Sequence, residues 1–431
     1  MRRGPGTAPR RAPTDRGRIG GPVLMAMSEA RRALEEAVPD VRDAGEHDAV
    51  DGVRPQWVAA VDGTESAAAA MRVAAEHGLH VVPRGSGSKL DWGGPPREVD
   101  LVLDLSGANE VVEHAAGDLV VHAMAGTPLA DVQRVVGAAG QMLAIDQPLP
   151  TATVGGVIAT ATSGPCRHLF GGVRDLLIGI TVVRPDGAVT ISGGKVVKNV
   201  AGYDLGKLYT GSFGSLGVIT EAVFRLHPLA AEHRWIQVET DDPGAAAEAV
   251  DRIRHSQAMP TAVEVDRATP GGRIEVVAEI EGRPTATHER ALELADAVGG
   301  SVLEHAPSWW GRYPFDPADG IGIRVGVEPK ALAALLSVRP DIDVAVRGAA
   351  GIGVLHAGLP GDADPAAVAD LVGMLRERCD YAVLTRSPRA IREKVDPWGP
   401  VAPGVMALMR RTKDQFDPEH RLAPGRFVGG I

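Results

Sequence analysis

The residues best suited to chemistry in this sequence are glycines set beside small hydroxyl side chains. One group, Pro83-Arg84-Gly85-Ser86-Gly87-Ser88-Lys89, follows the apolar pair Val81-Val82. Three more fall between residues 151 and 219: Thr153-Val154-Gly155-Gly156, Ser163-Gly164 and Gly211-Ser212-Phe213-Gly214-Ser215-Leu216-Gly217. Glycine supplies backbone angles that other residues resist and lets main-chain N–H groups approach a ligand closely. Consecutive N–H groups in such a turn form an anion-binding concavity, to which Lys89 can add charge. Taken alone, the turn at Gly85 reads as an ordinary connection between two elements. Repeated, and separated by strand-like segments, the clusters describe an extended ligand threaded through a folded domain.

Common alternatives do not fit. A G-x-G-x-x-G fingerprint would need glycine at Leu90, and a P-loop at Lys195 would need glycine at Val189 and a hydroxyl at Val196. Gly211-Ser212-Phe213 is not a G-x-S-x-G elbow. Two cysteines, Cys166 and Cys379, without a C-x-x-C, make neither a disulfide framework nor the four-thiolate set of an iron–sulfur cluster. A formal net charge of −10 over 431 residues opposes nucleic-acid binding, which needs clustered Lys and Arg. No apolar run reaches 18 residues, so no transmembrane segment is predicted. The 13 histidines include no H-x-H, and no metal site is predicted. His77 and His80 flank Gly78 at a helix end and read as surface residues. His356 follows an apolar strand and reads as structural, so no acid–base residue is assigned.

Periodicity locates the elements that must carry these clusters. Residues 1–24, rich in Arg, Gly and Pro, read as a disordered tail, and a helical pattern runs from Ser28 to Val38. Arg2-Arg3 starts no signal peptide, because no apolar segment follows it. A strand at 55–60 precedes a helix capped by Thr64 and running through Glu76. Strands follow at 81–82, 99–105, 119–123, 176–183 and 218–226, with a helix at 128–139 that puts Leu129, Val132, Val135 and Val136 on one face. Beyond His227-Pro228 the glycine clusters thin out. Strands (234–240, 274–280, 321–327, 352–356) then alternate with helices (245–255, 287–298, 329–336, 365–378), and no internal repeat is evident. A last helix spans 405–416.

The order and spacing of the four clusters, with Asp175-Leu176-Leu177-Ile178-Gly179 and Arg184-Pro185-Asp186-Gly187 between them, resembles the FAD-binding domain of the PCMH-type (vanillyl-alcohol oxidase) flavoprotein superfamily over about Val53 to Pro228. Lys198-Asn199-Val200-Ala201-Gly202-Tyr203-Asp204-Leu205 is similar to the K-N-V-x-G-Y-D-L segment of the glycolate oxidase branch. Val395-Asp396-Pro397-Trp398-Gly399, and the ending Phe416-Asp417-Pro418 with Pro424-Gly425-Arg426-Phe427, resemble the FAD-binding E-type subunits of glycolate oxidase. Phe213, where lactate-oxidising relatives carry Glu, suits that branch; Ala423-Pro424-Gly425 departs from the usual Asn-Pro-Gly.

The resemblance implies an α+β, two-domain PCMH-type FAD-binding fold. A disordered tail and short helix would occupy 1–44, the FAD-binding domain 48–228, a smaller α+β (ferredoxin-like) cap 229–395, and a C-terminal segment, 396–431, would return to the FAD domain. It implies FAD held non-covalently, since Ser88 and its neighbours offer no His or Cys tether. The pyrophosphate would lie on the N–H groups of Arg84, Gly85, Ser86, Gly87 and Ser88, flanked by Pro83 and Lys89. Thr153, Val154, Gly155 and Gly156, with Ala159, would line the ribityl and ring side; Ser163 and Gly164 would close over the phosphates; Gly217, Val218 and Ile219 would meet the adenine. Cys166 reads as a small buried or half-buried residue.

It further implies oxidation of a 2-hydroxy acid, glycolate to glyoxylate, beside a D-type flavoprotein subunit and an iron–sulfur F-type subunit that would receive the electrons. A cytoplasmic location follows, with any membrane association coming through those partners. Two alternatives stay open. One is a self-sufficient FAD-linked, D-lactate-like dehydrogenase, which needs a cap site not visible in the sequence. The other is a non-catalytic subunit that keeps the fold for assembly.

Overall fold

A computed structural model of the chain describes residues 21–195, 203–338 and 342–431. The tail up to residue 20, and Lys198 to Gly202 of the K-N-V-A-G-Y-D-L segment, lie outside the described residues. Helix α1 (Gly21–Ala37) begins inside the stretch read as tail, because the apolar run Val23 to Met27 prolongs the helical pattern that follows it.

The first sheet has the order β1 (Asp40–Asp43), β2 (Trp57–Ala60), β4 (Leu101–Asp104), β3 (Val81–Arg84), with β2, β4 and β3 parallel. Helix α2 (Thr64–Glu76) links β2 to β3 and buries Ala67, Ala68, Ala70, Met71 and Ala74. Thr64 is its first residue rather than its cap; its hydroxyl lies 2.8 Å from Glu221 Oε1, and Ser66 Oγ accepts the amides of Asp62 and Gly63 instead. A second, antiparallel sheet runs β5 (Val111–Ala115), β6 (Val120–Met124), β9 (Val218–Arg225), β7 (Leu177–Val183), β8 (Val189–Gly193). The unbroken apolar run of β7 is explained by its place between two neighbours. Helices α3 (Leu129–Gly137) and α4 (Val154–Thr160) fill the connection between β6 and β7.

Beyond Ala231 the chain builds one eight-stranded antiparallel sheet, ordered β13 (Ser301–Leu303), β10 (Glu232–Thr240), β12 (Ile274–Gly282), β11 (Ala262–Arg267), β15 (Ala345–Ala349), β16 (Val354–Leu359), β14 (Ile321–Gly326), β17 (Tyr381–Arg386). Helices α5 (Pro243–Arg254), α6 (Pro284–Val298), α7 (Leu332–Leu336) and α8 (Pro365–Arg378) complete it. Each half is β-α-β-β-α-β with strand order 4-1-3-2, the ferredoxin-like pattern. The halves join where β11 pairs with β15, at Val265↔Gly348 and Asp266↔Arg347. The topology therefore repeats where no sequence repeat is evident, because only element lengths and order are shared. Strand β11 eluded the periodicity reading: three of its six residues are charged, yet all six are buried.

One face of this sheet, including Ile236, Val276, Ala278, Ile323, Val325 and Leu355, forms an apolar core under the helices. The alternation of strands puts Glu264, Asp266, Glu279, Arg324, Arg347 and His356 on the other face, toward the first two sheets. After α9 (Pro403–Phe416) the chain runs back to β3, where Ala423 N donates to Val81 O at 2.9 Å. The fully buried Lys413 ammonium fastens this return, donating to Asp417 Oδ2 (2.7 Å), Ser215 O (2.7 Å) and Leu422 O (2.9 Å).

At the end of β3 the Arg84 guanidinium spans Asp48 Oδ1 (2.9 Å) and Asp104 Oδ2 (2.5 Å). Asp48 is fully buried and also takes Arg42 at 2.6 Å and the Gly45 amide at 2.8 Å. Hydrogen bonds from Arg42, and then Arg84, hold its carboxyl well below the usual carboxylate range. A depressed acid stabilises the fold above its unfolded pKa of about 3.9, and that contribution is lost as pH falls toward the folded value. Asp48→Asn should cost about 3–5 kcal/mol at pH 7, read as a lower urea midpoint. The gap from wild type should narrow as the pH approaches 3; a midpoint equal to wild type at pH 7 would show that the network is not structural.

Candidate functional site

Arg84 is turned away into its carboxylates, and the chain then bends sharply through Gly85 to Lys89. Gly87 adopts φ +78°, a left-handed conformation that favours glycine, and a Cβ on Gly85 would sit 2.3 Å from Thr153 Oγ1. The amides of Ser86, Gly87, Ser88 and Lys89 donate to no protein acceptor among the described residues. Lys89 is only 8% exposed and has no ion pair among the described residues; its ammonium stands 5.9 Å from the centre of the Trp92 ring. Burial pushes its pKa down to about 8. Four free amide donors and one buried, uncompensated amine make a site for an anion.

This turn forms one wall of a groove of about 110 Å³, open to solvent. Pro83, Arg84, Gly85, Ser86, Gly87, Ser88 and Lys89 line it, opposite Thr153, Gly155, Gly156 and Ala159, with Gly217 and Ile219 at another edge. Thr153 caps α4 by accepting the Gly156 amide at 3.4 Å. Val154 and Val218, expected in the lining, are instead 1% and 0% exposed. Val218 alternates inward between its lining neighbours on the strand, and Val154, first in α4, packs into the core. Ser163 and Gly164 lie at the junction with the eight-stranded sheet rather than in this groove, because Gly164 packs on Asp146, whose carboxylate accepts the Cys166 amide at 2.9 Å. Burial lifts the Asp146 carboxyl to about 6 and raises the Cys166 thiol as well.

Through Thr160 and Phe213 the groove continues into a cavity of about 270 Å³ at that junction. Trp92, Tyr313, Arg324, His356, Tyr381 and Trp398 surround it. Arg324 and His356 are direct cross-strand partners on β14 and β16. Arg324 has no carboxylate partner among the described residues, and its guanidinium carbon stands 6.0 Å from the centre of the Tyr381 ring. Burial, then the charge of Arg324, pushes the His356 pKa down to about 3. His356 Nδ1 is buried and makes no hydrogen bond among the described residues, and the Tyr313 ring meets its imidazole edge-on at 4.9 Å. The histidine read as structural thus stands in a cavity wall. Arg324, Tyr313 and Tyr381 were not singled out in the sequence, although Arg324 is the one charged residue in its otherwise apolar strand.

Residues 55–193 match the family model described as an FAD binding domain. The chain is 32% identical over 259 residues to glycolate oxidase subunit GlcD of Bacillus subtilis (strain 168), an alignment covering 57% of this chain and 55% of that protein. It is 39% identical over 150 residues to glycolate oxidase subunit GlcE of Escherichia coli (strain K12), covering 34% of this chain and 42% of that protein. The chain thus spans about half the length of these curated relatives. Among solved structures, 4-ethylphenol oxidase from Gulosibacter chungangensis superposes with a TM-score of 0.71 at 15% identity, over 93% of this chain and 97% of that one, which shows a shared fold. The unpaired amides, the buried amine, the crowded Gly85 and the left-handed Gly87 fit a bound dinucleotide pyrophosphate. Residues 55–193 form an FAD binding domain in a chain similar over part of its length to two subunits of glycolate oxidase, and FAD is its cofactor.

Proposed function

We propose that this chain oxidises the CH–OH carbon of a 2-hydroxy acid, as a flavoprotein subunit of a glycolate oxidase-type complex. The observation that carries the reading is the pair at the end of the groove: Arg324, a cation without a counter-ion among the described residues, beside His356, a neutral imidazole. In this reading the amides of Ser86 to Lys89 and the Lys89 ammonium hold the pyrophosphate, while Gly155, Gly156 and Ala159 leave room along the opposite wall. Among the described residues no His or Cys lines the groove, which supports non-covalent attachment. Bound FAD supplies the acceptor for the hydride that leaves C2 of the substrate.

The remaining work falls to side chains. Arg324 binds the substrate carboxylate by charge-assisted hydrogen bonds. Burial first, and then the charge of Arg324, keep His356 neutral; a bound carboxylate offsets the second of these, and the imidazole takes the hydroxyl proton. Trp92, Tyr313 and Trp398 keep water from the reacting carbon. The C2 hydrogen leaves with both bonding electrons, the hydroxyl proton goes to His356, and a 2-oxo acid results, glyoxylate from glycolate. With two cysteines the chain holds no cluster of its own. Onward transfer to an iron–sulfur partner, beside a second flavoprotein subunit, is part of the proposal; the names of the two relatives, each a subunit of a glycolate oxidase, support a multisubunit setting. A self-sufficient dehydrogenase is the second reading. It is favoured by the cavity around Arg324, the cap site that reading requires.

Anaerobic addition of glycolate to the purified holoprotein should bleach the flavin absorbance. Bleaching by the chain alone selects the second reading, and bleaching only with partner subunits present selects the first. Absence of bleaching under both conditions would overturn the function. Arg324→Met should weaken the apparent affinity for the hydroxy acid about 10–100-fold, the equivalent of ~1.5–3 kcal/mol for hydrogen bonds to a charged group. Gly87→Val, strained at φ +78° and projecting from the free amides, should purify with little flavin; normal flavin content would remove this turn from the cofactor site.

A further inference from the structure

Behind His356 lies a second, smaller cavity of about 30 Å³, room for about one or two waters. Glu264, Arg347, Tyr313, Ser163 and His356 border it. His356, Tyr313 and Ser163 also border the larger cavity, so the imidazole stands in the partition between the two. Two polar atoms of residues bordering this small cavity lack partners: His356 Nδ1 and Glu264 Oε1, both buried and without a hydrogen bond among the described residues. Glu264 is 3% exposed, on a strand whose alternate residues Val263 and Val265 enter the apolar core. Buried polar atoms are rarely left unsatisfied, and two in one polar cavity are readily bridged by water.

We propose that Glu264 is the proton acceptor behind His356, joined to its Nδ1 by water in the small cavity. The inference rests on the hydroxy-acid reading. The Glu264 carboxylate accepts from the Nδ1–H through water, which leaves Nε2 with its lone pair toward the substrate. When the substrate O–H bond breaks, an Nε2–H bond forms; the Nδ1 proton then passes through water to a carboxylate oxygen of Glu264, and the imidazole is neutral again. One proton is moved and no electrons are. The charged groups facing Glu264 are Arg347, which favours its ionised form, and Asp146 and Glu279, which oppose it; Arg324 faces His356. Burial outweighs Arg347 and lifts the Glu264 carboxyl well above its usual range. Since the active form is the carboxylate, the rate of bleaching should rise with pH through that raised value, and the neutral imidazole adds no limb of its own near its ordinary pKa of about 6.5.

The test is rapid-mixing bleaching of the holoprotein by glycolate across pH, with the partner subunits if required, in wild type, Glu264→Gln and Glu264→Asp. Glu264→Gln should slow bleaching about 100-fold and lose the acid limb, and Glu264→Asp should restore part of both. A Glu264→Gln protein with the wild-type rate and pH profile overturns the relay and leaves the hydroxy-acid reading intact. A wild-type flavin that no 2-hydroxy acid bleaches overturns both. Nitrogen NMR of ¹⁵N-histidine-labelled wild type at pH 8, assigned with His356→Gln, decides the matter without turnover or a Glu264 variant: the proton should reside on Nδ1, and a proton on Nε2 overturns the proposal.

Discussion

The site depends on where Arg84 points. A guanidinium beside a glycine-rich anion site would ordinarily be expected to serve the anion, but here Asp48 and Asp104 hold it beneath the turn. Those contacts tie the end of β3 to β4 and to the segment after β1, so the turn begins from a fixed base. Its amides stay unpaired because the strand ladder has ended and the chain bends before a new one starts. With Arg84 neutralised, the turn's own positive charge is that of Lys89, buried and without a counter-ion among the described residues. Fixed donors and a desolvated cation are a preorganised arrangement, which binds an anion without reordering itself.

The eight-stranded sheet meets this groove with its polar face. Two ferredoxin-like halves joined edge to edge make a surface wide enough to roof the cavity, and alternation along each strand separates the apolar side under the helices from the charged side. Several charges on that side are matched: Arg347 with Asp266 at 2.7 Å, and His233 with Glu279 at 2.8 Å. Among the described residues Arg324, His356 Nδ1 and Glu264 Oε1 are not, and all three border the two adjoining cavities. Unsatisfied polar groups that border a cavity mark where a ligand can complete the structure.

Much of the groove was legible in the sequence because its chemistry is local. The residues from Pro83 to Lys89 form a turn whose glycines and hydroxyls announce it, and Thr153-Val154-Gly155-Gly156 is a capped helix start that can be read in four letters. Val154 and Val218 do not border the groove for a simple reason: a motif names consecutive residues, whereas a strand or helix turns only some side chains toward one surface. The cavity at the junction was not legible. Its residues come from positions 92, 160–163, 213, 313, 324, 356, 381–385 and 398, and only the folded sheet brings them together. Strand β11 hid for a related reason: Asp266 is buried against Arg347 of the neighbouring strand and Arg267 against the carbonyls of Leu336 and Val338, partners that no periodicity within the strand can foretell.

The return of the chain to β3 has a consequence in time. Leu422 completes the apolar core of the first two sheets, and Arg426 lines the groove while donating to Leu90 O at 2.8 Å and Trp92 O at 3.0 Å. These residues trail the glycine turn by roughly 340 positions. At about 5–20 residues per second, the nascent chain carries an unfinished groove for tens of seconds after the turn has emerged. The cofactor can therefore be enclosed only after residue 426 has been made. A ribosome that stalls between α8 and α9 would display a turn with its four amides free and a groove still lacking Arg426.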